Sequence, residues 1–361
     1  MTAHAVMLHR RLAGLGVDAV LLNTSEVIQS TNLRYLSGFN GSDAAILISR
    51  NERLLFTDGR YKTQVKEQVP DFRAHVVRNK IAALAGAVRS LGVKRLGIES
   101  GRISYEFVTS LGRRIPEVDI VPLKRRFVEE LRIRKDAEEI ERIRKAGATA
   151  SEACREVVEA GLTGRRECDV AADIETRFRV KGAEGTAFET IVASGARSAL
   201  PHGTATSKII AGGEPVIIDF GCRYQGYCSD ETVTCTTGKA TADQAAVHAA
   251  VYDAHMRAVE AVREGMNPRE LDRTAREVID KAGFGKYFMH GLGHGVGMDI
   301  HEPPYLSPRG RGVLKAGMVF TIEPGIYIEG VGGVRLESLV HLGAAGVEIL
   351  CHMPKSLITA D

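Results

Sequence analysis

A chain of 361 residues is long for one hydrophobic core and suits two domains of ordinary size. Apolar residues at 44% and charged residues at 26% exclude a disordered chain and a membrane-embedded one. The 48 basic and 45 acidic residues leave a formal charge of only +3, too even a balance to imply nucleic acid as a partner. From the amino terminus, residues 1–25 interrupt their apolar positions with His, Arg and Asp, which reads as neither a signal peptide nor a membrane span. Cys154, Cys168, Cys222, Cys228, Cys235 and Cys351 form no C-x-x-C pair, so they read as reduced thiols of a cytoplasmic protein.

Short apolar runs follow in order: "AVLL" (19–22), "AAILIS" (44–49), "RLLFTD" (53–58), "HVV" (75–77), "RLGIE" (95–99) and "DIVPL" (119–123). Amphipathic stretches such as 81–93 separate them, which predicts an α/β domain with a parallel or mixed sheet. The basic segment around 124–128 is the expected boundary, giving domains 1–127 and 128–361. The basic residues of 131–145 are interleaved with acidic ones and read as a solvated helix face. A helix is predicted over 136–160, with Asp136 and Glu139 as a capping box, Ile140, Ile143, Ala150, Cys154 and Val157 on one stripe, and Gly161 as its stop. Gly147 falls on that stripe at a small cost in helix propensity. Two more helices are expected near 241–264 and 268–283, set among glycine-rich strands, so the second domain reads as α+β.

The carboxylates are concentrated in two predicted hairpins. In "VIIDFGCRYQGYCSDETVT" (216–234), a two-residue loop at Tyr224 and Gln225 would set Asp219 directly opposite Asp230, with Cβ atoms about 4.5–5.5 Å apart. In "TIEPGIYIEGVGGVRLESLV" (321–340), a turn centred on Gly330 would set Glu323 opposite Glu337. Like charges directly opposed destabilise a sheet unless a cation or water compensates them, and Asp219 follows an apolar run that reads as buried. Four carboxylates and one imidazole from "GLGHGVGMDIHEPP" (291–304), which contains His294 and His301, suit two divalent cations. An oxygen-rich set of this kind favours a hard ion such as manganese, and two such ions about 3.5–4 Å apart suit hydrolysis through a shared water.

With these residues in place the sequence resembles the metallopeptidases of the pita-bread fold, in particular the proline peptidases: Xaa-Pro aminopeptidase and Xaa-Pro dipeptidase (prolidase). "NLRYLSGFNGSDAAILI" and "LLFTDGRY" look like the creatinase-type N-terminal domain of that family. "ASGARSALPHG", "IIDFG", "GYCSD", "GLGHGVGMDIHEPP", "TIEPGIY" and "GGVRLE" occur in its order in the catalytic domain. The resemblance implies an α+β pita-bread catalytic domain behind a smaller α/β domain. It also implies Asp219, Asp230, His294, Glu323 and Glu337 as ligands of two divalent ions, with manganese first and cobalt, zinc or iron as alternatives. Asp230 and Glu337 would bridge the ions, and Glu323 would accept the water's proton. His301 would stabilise the tetrahedral intermediate, and His202 would position the substrate. Arg335 shares a strand face with Glu337 and is expected to orient it. The expected substrates are peptides with proline in second position, and the expected assembly is a homodimer or homotetramer.

Three positions depart from the family pattern: Val233 where an arginine is common, Ser338 where an aspartate is common, and Glu214 where the family has the aspartate of "GD". Methionine aminopeptidase shares the ligand scaffold but usually lacks the N-terminal domain. Creatinase does not retain the metal set, and non-catalytic pita-bread binding modules have typically lost ligands. A dipeptidase should present a cation to its substrate's terminal carboxylate, and some prolidases carry an arginine shortly after "HE". Here Tyr305 stands there, with Arg309 and Arg311 further on, so the sequence reading places the aminopeptidase first and the dipeptidase second.

Overall fold

The structure is a computed structural model that describes residues 8, 12, 14–123 and 126–361. Much of the 1–25 reading, and Lys124 and Arg125 of the expected boundary segment, lie outside the described residues. The chain forms two compact units, residues 1–132 and 133–361, so the break falls after Arg132 where the sequence places it after residue 127. Among the described residues no helix is long and apolar enough to cross a membrane.

The apolar runs of the first unit form one mixed sheet. Its strands lie in the order Arg73–Val76, Arg53–Thr57, Ala44–Ser49, Ala19–Thr24, Arg95–Ile98, Asp119–Pro122. The two central strands, Ala19–Thr24 and Ala44–Ser49, are buried along their whole length, whereas the edge strands are partly exposed. The helix Lys80–Ser90 starts at Asn79, whose side chain accepts from the Ala82 N–H, and it buries Leu84, Ala85 and Val88.

In the second unit the expected capping box is present, and the helix Ala137–Glu159 buries a stripe from Ile140 to Val158. Gly147 has a reason there that helix propensity does not show. A Cβ on it would overlap the carbonyl oxygen of Leu350, so the glycine lets the C-terminal segment lie directly on the helix. Gly147→Ala is therefore expected to lower the urea midpoint, because overpacking costs about 1–3 kcal/mol against the roughly 1 kcal/mol that alanine gains in a helix. A midpoint at or above wild type would show that the segment moves aside.

Two sheets follow. The helices Ala137–Glu159 and Glu167–Val180 share a core with the sheet ordered Ile358–Thr359, Glu231–Thr236, Pro215–Phe220, Ile191–Ser194. The helices Ala242–Ala261 and Pro268–Lys281 share another with the sheet ordered Glu302–Leu306, Gly293–Gly295, Met318–Ile322, Ser338–Gly343, Gly346–Ile349. The unit is α+β.

The glutamate hairpin has the expected register: Gly325 pairs with Arg335 and Ile328 with Gly332, and the neighbouring ladder continues it with Ile322 opposite Ser338. The aspartate hairpin differs. Its loop is Gln225–Gly226, both with positive φ (46° and 86°), and Tyr224 pairs with Tyr227. A two-residue turn of this hand needs left-handed backbone at both central positions, which glycine adopts freely and an aromatic residue resists. Asp219 consequently lies opposite Thr232, not Asp230. The displacement is an even number of residues, so alternation keeps both aspartates on one face, now diagonal to each other.

Candidate metal centre

Strand interruptions deliver most of the acidic side chains. Asp219 lies within Pro215–Phe220, but Asp230 sits in the gap before Glu231–Thr236, Glu323 directly follows Met318–Ile322, and Glu337 separates Gly332–Arg335 from Ser338–Gly343. His294 is the middle residue of Gly293–Gly295. A Cβ at Gly293 would overlap the Thr321 carbonyl oxygen, so the glycine allows the histidine strand to close against Met318–Ile322. Asp219, Asp230, His294, Glu323, Glu337, His301, His202 and Arg335 all line one cleft of about 630 Å³.

His294 Nε2 lies 3.4 Å from Glu323 Oε1 and 3.6 Å from Asp230 Oδ2. Asp230, His294 and Glu337 each offer a ligand atom, all within 4.8 Å of one another. His294 Nδ1 is 3.2 Å from the Gly295 carbonyl oxygen. Donation there leaves the Nε2 lone pair facing the carboxylates, the tautomer a metal ligand needs. Thr232 Oγ1 donates to Glu337 at 2.6 Å, and Thr321 Oγ1 donates to Glu323 at 3.0 Å. Asp219 Oδ2 accepts from Arg335 at 2.7 Å, while its buried Oδ1 has no hydrogen-bond partner among the described residues. A buried carboxylate oxygen without a donor, among three other carboxylates and an imidazole, fits a divalent cation.

Burial, and then the neighbouring carboxylates, hold Asp230 and Glu337 well above the usual carboxylate range. Burial also raises Glu323 and lowers His294. Each direction reflects the cost of holding a charged form away from water, a carboxylate in one case and an imidazolium in the other.

Arg335 was expected to orient Glu337. It bonds instead to Asp219, and reaches Glu337 only through Thr232, whose Oγ1 accepts from Arg335 Nε at 3.1 Å. Its remaining Nη1 donates to the Pro201 carbonyl and to Tyr327 Oη, both at 3.0 Å. Tyr327 then faces His290 Nε2 at 3.0 Å, and His290 Nδ1 is 2.7 Å from the Gly291 carbonyl oxygen. Burial pushes the Tyr327 phenol up to about 12 and lowers His290. His301 stands beside the ligand histidine with ring centroids 4.2 Å apart, and burial followed by His294 and His202 depresses its pKa. Sequence reasoning missed Thr232, Thr321, Tyr327 and His290. The two threonines lie two residues from Asp230 and Glu323, so strand alternation could have found them. His290 stands just before the glycine-rich stretch.

The departures from the family pattern leave the cleft intact. Val233 is in the core on the opposite face from Thr232 and Thr234, and Glu214 pairs with Lys208 at 2.6 Å. Ser338 Oγ is 3.0 Å from Nε2 of the fully buried His255, whose Nδ1 has no partner among the described residues. Burial, and then the Lys355 ammonium, push His255 down to about 3. Its folded pKa is depressed, so its contribution to stability is present above about pH 6.5 and is lost as pH falls toward the folded value. His255→Leu should remove about 1.4 kcal/mol per pH unit of that dependence between pH 6 and 4. Urea midpoints of both proteins across that range check it; parallel slopes would refute it.

Residues 141–344 match the profile of metallopeptidase family M24, and residues 7–134 match that of the creatinase/prolidase N-terminal domain. An Xaa-Pro dipeptidase of Pyrococcus horikoshii is 37% identical over 349 residues, spanning 95% of this chain and 95% of that protein. The solved structure of an Xaa-Pro dipeptidase from Bacillus anthracis superposes with a TM-score of 0.94 at 35% identity, covering 99% of both chains. That of an X-Pro aminopeptidase from Thermotoga maritima gives 0.92 at 39%, covering 97% of this chain and 99% of the other.

Proposed function

The chain belongs to metallopeptidase family M24, and from that premise we propose that it is an Xaa-Pro dipeptidase, cleaving the bond between an amino-terminal residue and a carboxy-terminal proline. It is a peptide-bond hydrolase of the proline-peptidase branch, with a creatinase-type N-terminal domain ahead of a pita-bread catalytic domain. The observation that carries the substrate reading is whole-length similarity to proteins named Xaa-Pro dipeptidase. This revises the order read from sequence, which put the aminopeptidase first. The aminopeptidase remains the second reading because Tyr305 lines the cleft where a cation was sought, and the Thermotoga maritima aminopeptidase is equally similar.

Asp219, Asp230, His294, Glu323 and Glu337 would hold two divalent ions, manganese first and cobalt, zinc or iron as alternatives. Such ions supply Lewis-acid activation of water and of the scissile carbonyl. Glu323, steadied by Thr321, accepts the proton of the attacking water. His301, held neutral, donates an N–H toward the developing oxyanion. His202 positions the substrate beside Pro201, whose carbonyl is fixed by Arg335. Phe188, Ile191, Ile300 and Leu306 give the proline ring and its neighbour an apolar wall. The buried thiols support a cytoplasmic setting, and assembly as a homodimer or homotetramer belongs to the same reading.

Hydrolysis of Leu-Pro beside Leu-Pro-Ala, with added manganese and again after chelation, tests this. Chelator-sensitive cleavage of Leu-Pro with the tripeptide spared is the expected outcome. The reverse preference makes the protein an aminopeptidase, and failure to cut either with metal present overturns the proline specificity.

A further inference from the structure

We propose that Glu189 makes the cleft selective for substrates whose amino-terminal residue has a cationic side chain, lysine or arginine. The inference rests on the peptidase reading above and concerns which Xaa it prefers. Glu189 lies two residues before Ile191, which pairs directly with Asp219 in the ladder. Both Glu189 and Ile191 line the cleft, so Glu189 stands at its wall just ahead of the strand residue that faces Asp219. The main chain there is anchored, since the Thr190 N–H donates to Glu175 at 3.4 Å.

The charges in the cleft single this residue out. Asp219 is paired with Arg335, and Asp230, Glu323 and Glu337 belong to the acidic cluster that two divalent cations would balance. Glu189 is exposed and makes no hydrogen bond or ion pair among the described residues, so its charge faces the cleft uncompensated. Phe188 and Ile191 on either side of it also line the cleft. An apolar surface ending in a carboxylate suits a lysine or arginine, whose methylene stem lies on the surface while its charged head meets the acid. The terminal carboxylate of a dipeptide would be repelled from this end and the proline ring carries no charge to meet it, which leaves the first residue as the occupant. The α-ammonium is common to every substrate and cannot produce selectivity among them.

The test is kcat/KM for Arg-Pro, Leu-Pro and Glu-Pro, and for the same peptides extended by alanine, in the metal-loaded wild type, Glu189→Gln and Glu189→Lys. Wild type should prefer Arg-Pro to Glu-Pro, the ratio should fall about tenfold in Glu189→Gln, and it should fall further in Glu189→Lys. The wild-type ratio should also shrink in high salt, as screening of a charge open to solvent requires. An Arg-Pro to Glu-Pro ratio unaltered by either substitution overturns the proposal. So does an equal loss on all three peptides, which would assign the carboxylate to the α-ammonium. Absence of cleavage of every Xaa-Pro peptide by wild type would instead remove the peptidase reading, and this inference with it.

Discussion

Asp230→Asn is expected to abolish hydrolysis of Xaa-Pro peptides while leaving the fold intact. Asp230 is buried, within ligand distance of both His294 and Glu337, and would contribute to both ions. Losing a hydrogen bond that merely supports a metal ligand costs about 10–100-fold, so losing the ligand itself should lower kcat by more than about 100-fold. The stability argument runs the other way. Burial and the charges of Glu337, Asp219 and Glu323 all disfavour an ionised group at this position, and asparagine has the same shape without the charge. In chelator the variant should therefore unfold at or above the wild-type midpoint, whereas added manganese should stabilise it less than it stabilises wild type. Metal content by elemental analysis separates the two effects. Wild-type turnover in Asp230→Asn would rule out the five-residue metal site.

The same residue shows how far local rules carry. Binary alternation placed Asp219 and Asp230 on one face even though the loop was misplaced, because the true turn displaced the register by an even number of residues. The glutamate hairpin was legible in full, because Gly330 fixes a turn whose register runs unbroken through both ladders. Contacts made across long stretches of chain were not legible. Arg335 shares a strand face with Glu337 but reaches it through Thr232; its bond to Asp219 depends on how the hairpin strand Gly332–Arg335 lies against the strand Pro215–Phe220. Tyr327 and His290 join the cleft for the same reason. Gly147 read as a minor flaw in a helix until the C-terminal segment was found lying on it.

That segment also holds the protein's largest expected stability effect. Glu231, next to Asp230 in sequence, is almost fully buried and accepts from Lys355 Nζ at 2.5 Å and from the Met353 N–H at 2.9 Å through one oxygen. Its other oxygen accepts from Ser151 Oγ at 2.5 Å, and Ser151 Oγ in turn accepts from the His352 N–H at 2.8 Å. One carboxylate thus ties the strand that follows Asp230 to the helix Ala137–Glu159 and to the C-terminal segment. Lys355→Met leaves that carboxylate buried without its countercharge, and removing one partner of a buried pair costs about 3–5 kcal/mol. The double variant Glu231→Leu with Lys355→Met removes both charges and should recover much of the loss, since an apolar pair of similar volume often replaces a buried ion pair at little cost. Urea unfolding of the two single variants and the double one gives the coupling directly. Additive losses would mean that water reaches the pair, whereas a double variant more stable than Lys355→Met alone identifies the stranded carboxylate as the source of the cost.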